Sequence, residues 1–280
     1  MYKKISNHFH GFGLGLRPEY YQTILDQKPE VDWFEIITEN YMVAGGKPLY
    51  FLDQFKERYP LAMHGVAMNI ASANPVNMSY LKDLKKLINH VNPIWVSDHC
   101  CWTGVNEQNS HDLLPLPYHQ QSIEQIVSKI KQIQDYLERP ILIENLSSYL
   151  TFKDSEMEEW EFLTEICESA DCYLLLDINN IYVSARNHGF NTLDYLYGVP
   201  KDRVRQHHLA GHSNYKDYII DTHDEPIVEP VFELYKKAVD HFGPVSVMIE
   251  RDDNFPPFED LMKELEQVKD IFNKTQGSLN

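Results

Sequence analysis

Six apolar runs in this chain end on side chains that bind metals. Residues 61–64, 94–99, 141–144, 173–177, 204–208 and 245–250 close on His64, His99, Glu144, Asp177, His208 and Glu250. Imidazole and carboxylate suit divalent first-row metals, and a carboxylate can span two ions. Buried carboxylates are costly unless a positive charge neutralises them, so a set of this kind in register points to a shared cluster of cations. Asn180 offers an amide three residues after Asp177. Asp221 and His223 stand at i and i+2, which in an extended segment aims both the same way. His207 precedes His208, so on a strand only one of the pair faces the centre.

Other polar residues flank these positions. Asp98 and Asn145 adjoin ligands and either orient them or, by strand alternation, face outward. His212 follows His208 by four residues and is a rival ligand or a group that backs one. His188 falls in a glycine-containing loop after the sixth strand, where it contacts substrate or metal or else ties the loop together. Arg251 follows Glu250 and pairs with a substrate carboxylate, a core carboxylate or, most simply, Glu35. Glu39 follows the second strand, either at the mouth of the site or on the surface. His8, His10, His90, His111, His119 and His241 show no register with the strands and read as surface groups.

The elements that must carry these residues follow from periodicity. Strands are expected at 11–16, 31–37, 61–66, 94–99, 140–146, 173–178, 204–209 and 245–250. Between them the apolar spacing is helical: from Pro18, over about 49–58, through Leu81, Leu84, Leu87 and Ile88, over 118–137, near 158–169, and finally over 258–272. Residues 103–117, rich in Gly, Asn and Pro, are expected to form a loop. Strand and helix alternating eight times is the pattern of a (β/α)₈ barrel, an α/β fold whose strand ends converge on one face. The expected organisation is one TIM-barrel domain over 1–280 with a short polar C-terminal tail. An open doubly wound sheet is the competitor, but neither GxGxxG nor GxxxxGK[ST] opens any helix.

Composition narrows the function. A chain of 280 residues, 43% hydrophobic, can bury a full core. Its formal charge of −17 argues against a nucleic-acid binder, because an acidic surface repels phosphates. Cys100, Cys101, Cys167 and Cys172 form no CxxC pair, which fits reduced thiols in a cytoplasmic protein. Residues 1–8 lack the apolar segment of a secretory signal. No apolar run approaches the roughly 18–20 residues needed to cross a bilayer.

The order His, His, Glu, Asp, His, Asp-x-His, Glu resembles the three-metal site of the xylose-isomerase-like barrels, above all the endonuclease IV type. By that resemblance His64, His99 and Glu144 hold a first ion, and Glu144, Asp177, His208 and Glu250 a second. Asn180, Asp221 and His223 hold a third. The endonuclease carries a histidine where this chain has the weaker, neutral Asn180, which tells against a tight tri-zinc hydrolase.

Longer phrases are more specific. They are Phe34-Glu35-Ile36 with Glu39-Asn40-Tyr41, His64-Gly65-Val66, Ser97-Asp98-His99, Ile143-Glu144-Asn145, the run 177–183, Asn187-His188-Gly189-Phe190, His208-Leu209-Ala210-Gly211-His212, Asp221-Thr222-His223-Asp224 and Ile249-Glu250-Arg251-Asp252. Together, over about residues 11–272, they resemble the multinuclear non-heme iron-dependent oxidases. The resemblance implies a TIM barrel holding two or three iron ions (Fe2+/Fe3+), with O2 as co-substrate. It implies oxidation of cysteine residues in a ribosomally made precursor peptide, helped by a small partner protein that recruits the peptide. The alternative is a metal-dependent phosphodiesterase or sugar isomerase on the same barrel. The acidic charge, Asn180 and the absence of a lysine at the strand ends weigh against it.

Overall fold

Glycine at alternate positions of the first strand makes room for the interior of the fold. The computed structural model describes residue 5, residues 8–106 and residues 108–277. In it β1 spans Phe12–Gly15. A Cβ on Gly13 would come within 2.6 Å of the Trp33 ring, and one on Gly15 within 2.9 Å of the Arg17 guanidinium. A 3₁₀ turn over Pro18–Tyr20, opened by the proline, leads into α1 (Tyr21–Gln27). Then come β2 (Trp33–Ile37), α2 (Lys47–Lys56), β3 (Leu61–Gly65), α3 (Met78–Val91) and β4 (Val96–His99).

The stretch expected to be a loop after β4 is instead an antiparallel hairpin, β5 (Trp102–Val105) with β6 (Gln108–Leu114). β6 is polar and largely exposed, so it lacks the apolar alternation that marks a buried strand. The chain continues through α4 (Gln120–Leu137), β7 (Leu142–Glu144), α5 (Glu159–Ala170), β8 (Tyr173–Asp177), α6 (Ile178–His188), α7 (Thr192–Gly198) and β9 (Val204–Leu209). A second short hairpin, β10 (Ser213–Asn214) with β11 (Ile219–Ile220), precedes α8 (Glu229–Phe242), β12 (Ser246–Ile249) and α9 (Phe258–Gly277). The last helix runs past Phe272, leaving a shorter polar tail than expected. Residues 278–280 of that tail, and residues 1–4, 6 and 7 of the stretch read as lacking a signal segment, lie outside the described residues.

Eight strands close a parallel barrel in the order β1-β12-β9-β8-β7-β4-β3-β2. Alternation divides the buried apolar residues into two layers. Outward residues such as Phe34, Met63, Val96 and Ile143 pack under the helices, whose apolar stripes are spaced to meet them; on α4 the stripe is Ile123, Ile126, Ile130, Ile133 and Leu137. Inward residues Trp33, Ala62, Trp95, Leu142, Tyr173, Leu175 and Met248 fill the lower barrel. Each large side chain so buried contributes roughly 1.5–3 kcal/mol. Local caps fix the helix starts. Asn77 accepts from the backbone N–H groups of Ser79 and Tyr80, and His119 accepts from Ser122. Among the described residues no helix is long and apolar enough to cross a membrane.

Candidate metal centre

One pleat above the apolar plug, the same inward phase changes chemistry. On β3 the residue after Ala62 in that phase is His64; on β4, after Trp95, come Ser97 and His99. Glu144 follows Leu142 on β7, Asp177 follows Leu175 on β8, His208 ends the run on β9, and Glu250 lies just beyond Met248. The barrel therefore gathers at its C-terminal rim the six side chains whose strand-end positions marked them in the sequence.

Their ligand atoms fall into three overlapping sets, each within 4.8 Å: His64, His99 and Glu144; Glu144, Asp177 and His208; and Asp177, His223 and Glu250. Glu144 joins the first two and Asp177 the last two. His64 Nε2 and His99 Nε2 lie 3.1 and 3.3 Å from Glu144 Oε2. His208 Nδ1 stands 3.3 Å from Glu144 Oε1, 3.1 Å from Glu250 Oε2 and 3.9 Å from Asp177 Oδ2. His223 Nε2 is 2.7 Å from Asp221 Oδ1, and its Nδ1 is 3.3 Å from Glu250.

These are contacts, not hydrogen bonds. Glu144 Oε2, Asp177 Oδ2, Asn180 Oδ1, His208 Nδ1 and His223 Nε2 are all buried without a hydrogen-bond partner. Buried polar atoms are almost always satisfied, so orphan atoms converging on one region fit ligands directed at cations. The outer nitrogens agree. His64 Nδ1 faces Ser97 Oγ at 2.9 Å and His99 Nδ1 faces the Gly65 carbonyl at 3.2 Å. His208 Nε2 faces Glu35 at 2.8 Å, and His223 Nδ1 faces Asp252 at 3.2 Å. An acceptor behind each ring holds the proton on the outer nitrogen and leaves the inner lone pair free, as metal-binding imidazoles require.

The electrostatics demand positive charge. Burial would lower the His64 pKa, but Glu144 beside it raises it to about 9. Burial would raise the Glu144 carboxyl, yet His99, His208 and His64 hold it well below the usual carboxylate range. Asp177 moves the other way: burial first, then the charges of Glu144 and Asp221, push its carboxyl well above the usual range. Arg17 is a fixed cation at the edge of the cluster, reaching Glu250 at 3.2 Å and Asp252 at 2.6 Å. Bound metal ions would relieve the excess of negative charge.

The flanking residues sort by geometry. His207 points away from the centre, against Tyr235 and Phe242, and burial lowers its pKa to about 4. Asp98 also faces out of the barrel, where it accepts from the Met68 N–H and shapes the chain after β3. Asn145 is tied to the Asp177 backbone at both its amide ends, at 2.7 and 3.0 Å. Glu39 accepts from the N–H groups of Val66 and Ala67 and from Tyr80, so it braces the rim. His212 is no rival of His208: its Nδ1 meets Asn179, which in turn donates to Asp221 at 2.7 Å.

Four expectations need correction. Arg251 pairs with Glu264 on α9 at 3.2 Å, not with Glu35, because it lies in the outward phase after β12. His188 is the last residue of α6, not a loop residue, and bonds Ser148 at 2.8 Å outside the cluster. The segment after Asp177 is helical at once: Asp177 caps α6 and Asn180 sits in its first turn, its amide N donating to the Asn145 carbonyl so that Oδ1 turns inward. Asp221 and His223 do not share an extended face, since His223 adopts a left-handed φ of 51° and the two meet by a turn. Arg17 was not singled out from the sequence; Ser97, Asn179 and Asp252 stood only within the longer phrases, without a role, and Glu35 there and as a partner for Arg251. Glu35 carried a signal, being a carboxylate in the inward phase of β2 two residues after Trp33.

The closed parallel barrel is a TIM barrel. It superposes on a D-tagatose 3-epimerase-like protein with a TM-score of 0.65 and 17% identity, covering 96% of this chain and 100% of the other. An IolI protein with a bound zinc atom superposes with a TM-score of 0.62 and 14% identity, covering 96% and 98%. Likeness at that identity concerns the fold alone. The family described as RiPP precursor modification enzyme MbnB/TglH/ChrH matches residues 11–273, and the chain belongs to that family. Relatives called UPF0276 protein are 55% identical in Caulobacter vibrioides strain NA1000 (93% of this chain, 94% of the relative) and 50% identical in Rhizorhabdus wittichii (94% and 95%).

Proposed function

We propose that this enzyme is a multinuclear iron-dependent oxidase that uses O2 to modify cysteine residues of a ribosomally made precursor peptide, which a small partner protein recruits. The observation that carries the reading is the triple ligand set, in which Glu144 belongs to two groups and five buried ligand atoms lack any hydrogen-bond partner. His64, His99 and Glu144 form the first position; Glu144, Asp177, His208 and Glu250 the second; Asn180, Asp221 and His223, with Asp177 and Glu250 nearby, the third. Imidazole and carboxylate with open positions are the donor set of Fe(II) oxygenases. Two or three iron ions held there would supply redox electrons and a charge that lowers the pKa of a substrate thiol.

The protein's own groups do the positioning. Ser97, the Gly65 carbonyl, Glu35 and Asp252 each orient one imidazole. Asn145 and Asn179 fix Asp177 and Asp221. A cleft of about 220 Å³ reaches the cluster, with Ile37, Val66, Leu113 and Leu146 as the apolar part of a largely polar lining. The reacting sulfur has to come from outside, because all four cysteines of the chain are buried and burial raises the thiol pKa of Cys100, Cys101 and Cys167.

The test is O2 uptake by anaerobically purified, iron-loaded enzyme given a cysteine peptide encoded beside its gene, together with the neighbouring partner protein. Uptake that requires iron and stops when the peptide cysteine becomes serine is the expected result. Equal turnover of the serine peptide, or full activity with zinc alone, overturns the proposal.

A further inference from the structure

The rim holds a second cavity that the metal cleft does not use. The chain after β7 runs between the two: Leu146, Ser147 and Tyr149 line the cleft, whereas Ser148, Leu150 and Thr151 line the cavity. It measures about 430 Å³. Trp160 lies at its wall with ring centroids 5.4 Å from Tyr195 and 5.7 Å from Phe190. Glu156, Glu158, Glu159 and Glu161 also line it, and no lysine or arginine among the described residues does.

Two of those glutamates have structural work, since Glu158 and Glu161 form the capping box of α5. Glu159 accepts from the Leu146 N–H at 3.4 Å and has the Tyr195 and Tyr118 hydroxyls beside its carboxyl. The Tyr195 hydroxyl, on a residue 1% exposed, faces that carboxyl. Burial pushes the Glu159 carboxyl up to about 7, with no cation near enough to hold it down. A carboxyl group with no cation beside it and aromatic faces in one cavity match the recognition chemistry of an ammonium or guanidinium group.

We propose that this cavity is a subsite for a cationic side chain, a lysine or arginine of the precursor peptide lying near the residue that enters the metal cleft. The inference rests on the peptide-substrate reading above. Because a single chain segment separates the openings, neighbouring residues of one extended peptide can occupy both.

The test uses the full-length protein with ¹³C-methyl-labelled methionine. Met157 lines the cavity and reports occupancy. Three probes are titrated: N-acetyl-lysine methylamide, its neutral isostere N-acetyl-norleucine methylamide, and butylammonium. None contains a thiol or needs metal. Failure to oxidise a cysteine peptide would sink the oxidase reading without touching this result. The lysine probe is expected to shift Met157 and to bind about tenfold more tightly than the norleucine probe, the gain of a desolvated cation against aromatic and carboxylate groups. Glu159→Gln and Glu156→Gln should each weaken the lysine probe and leave the norleucine probe and the free Met157 signal unchanged. Equal binding of lysine and norleucine, butylammonium binding as tight as the lysine probe, an unaltered lysine affinity in both variants, or no Met157 response would each overturn the proposal.

Discussion

Each of the four imidazoles in the cluster has one nitrogen committed to a protein acceptor and one turned toward neighbouring ligands. That division is the clearest residue-level sign of a metal site, because a merely structural histidine would spend both nitrogens on hydrogen bonds. It makes Glu35 a positioning residue for His208, with its other oxygen held by Gln206 at 2.7 Å. Glu35→Gln should weaken metal binding at the position of His208 by roughly 10–100-fold, the usual cost of losing a partner behind a ligand. Competition with a chromophoric chelator measures this, and an unchanged affinity would remove Glu35 from the account. The ligands themselves were legible because each ends an apolar run. Arg17 was not, because it lies two residues past β1 and reaches Glu250 and Asp252, 233 and 235 positions away in sequence, only once the barrel closes.

Elements were legible where apolar periodicity was strong and obscure where it was weak. All eight barrel strands and the stripe on α4 follow from spacing, whereas the β5–β6 hairpin, with its polar, exposed β6, reads as loop, and β10 and β11 have only two residues each. β7 has only three residues, yet it carries Glu144, so its position needs support from outside the ladder. Asn145 gives that support by joining the end of β7 to the backbone of Asp177 on β8. Asn145→Ala leaves a buried N–H and a buried carbonyl unpaired, which should cost about 1–3 kcal/mol in urea denaturation. A loss below about 0.5 kcal/mol would mean the two strands hold their register without it. The first turn of α5 carries a pH effect. Burial raises the Glu159 pKa from its ordinary 4.5 to about 7, so the folded state keeps a proton that the unfolded chain gives up. Stability should therefore fall as pH rises from about 4.5 to about 7, and Glu159→Gln should flatten that slope in thermal melts. A slope identical in the two proteins would contradict a buried, unneutralised carboxyl.

The whole molecule carries a formal charge of −17 and concentrates several of its carboxylates at one rim, so cations should stabilise it well beyond their local contacts. An ion present at 100 times its Kd stabilises by about 2.7 kcal/mol. A chelator should accordingly lower the Tm of loaded protein by several degrees, at roughly 2–4 °C for each kcal/mol in a domain of this size. An unshifted Tm would mean that the cluster holds no ion in the folded state. The most direct measurement is the number of metal ions bound per chain before and after Glu144→Ala, with circular dichroism as the check on folding. A carboxylate shared by two positions predicts that the wild type binds at least two ions and that the variant, still folded, loses about two of them. A folded variant that keeps its full complement would contradict the shared-ligand cluster on which the function is argued.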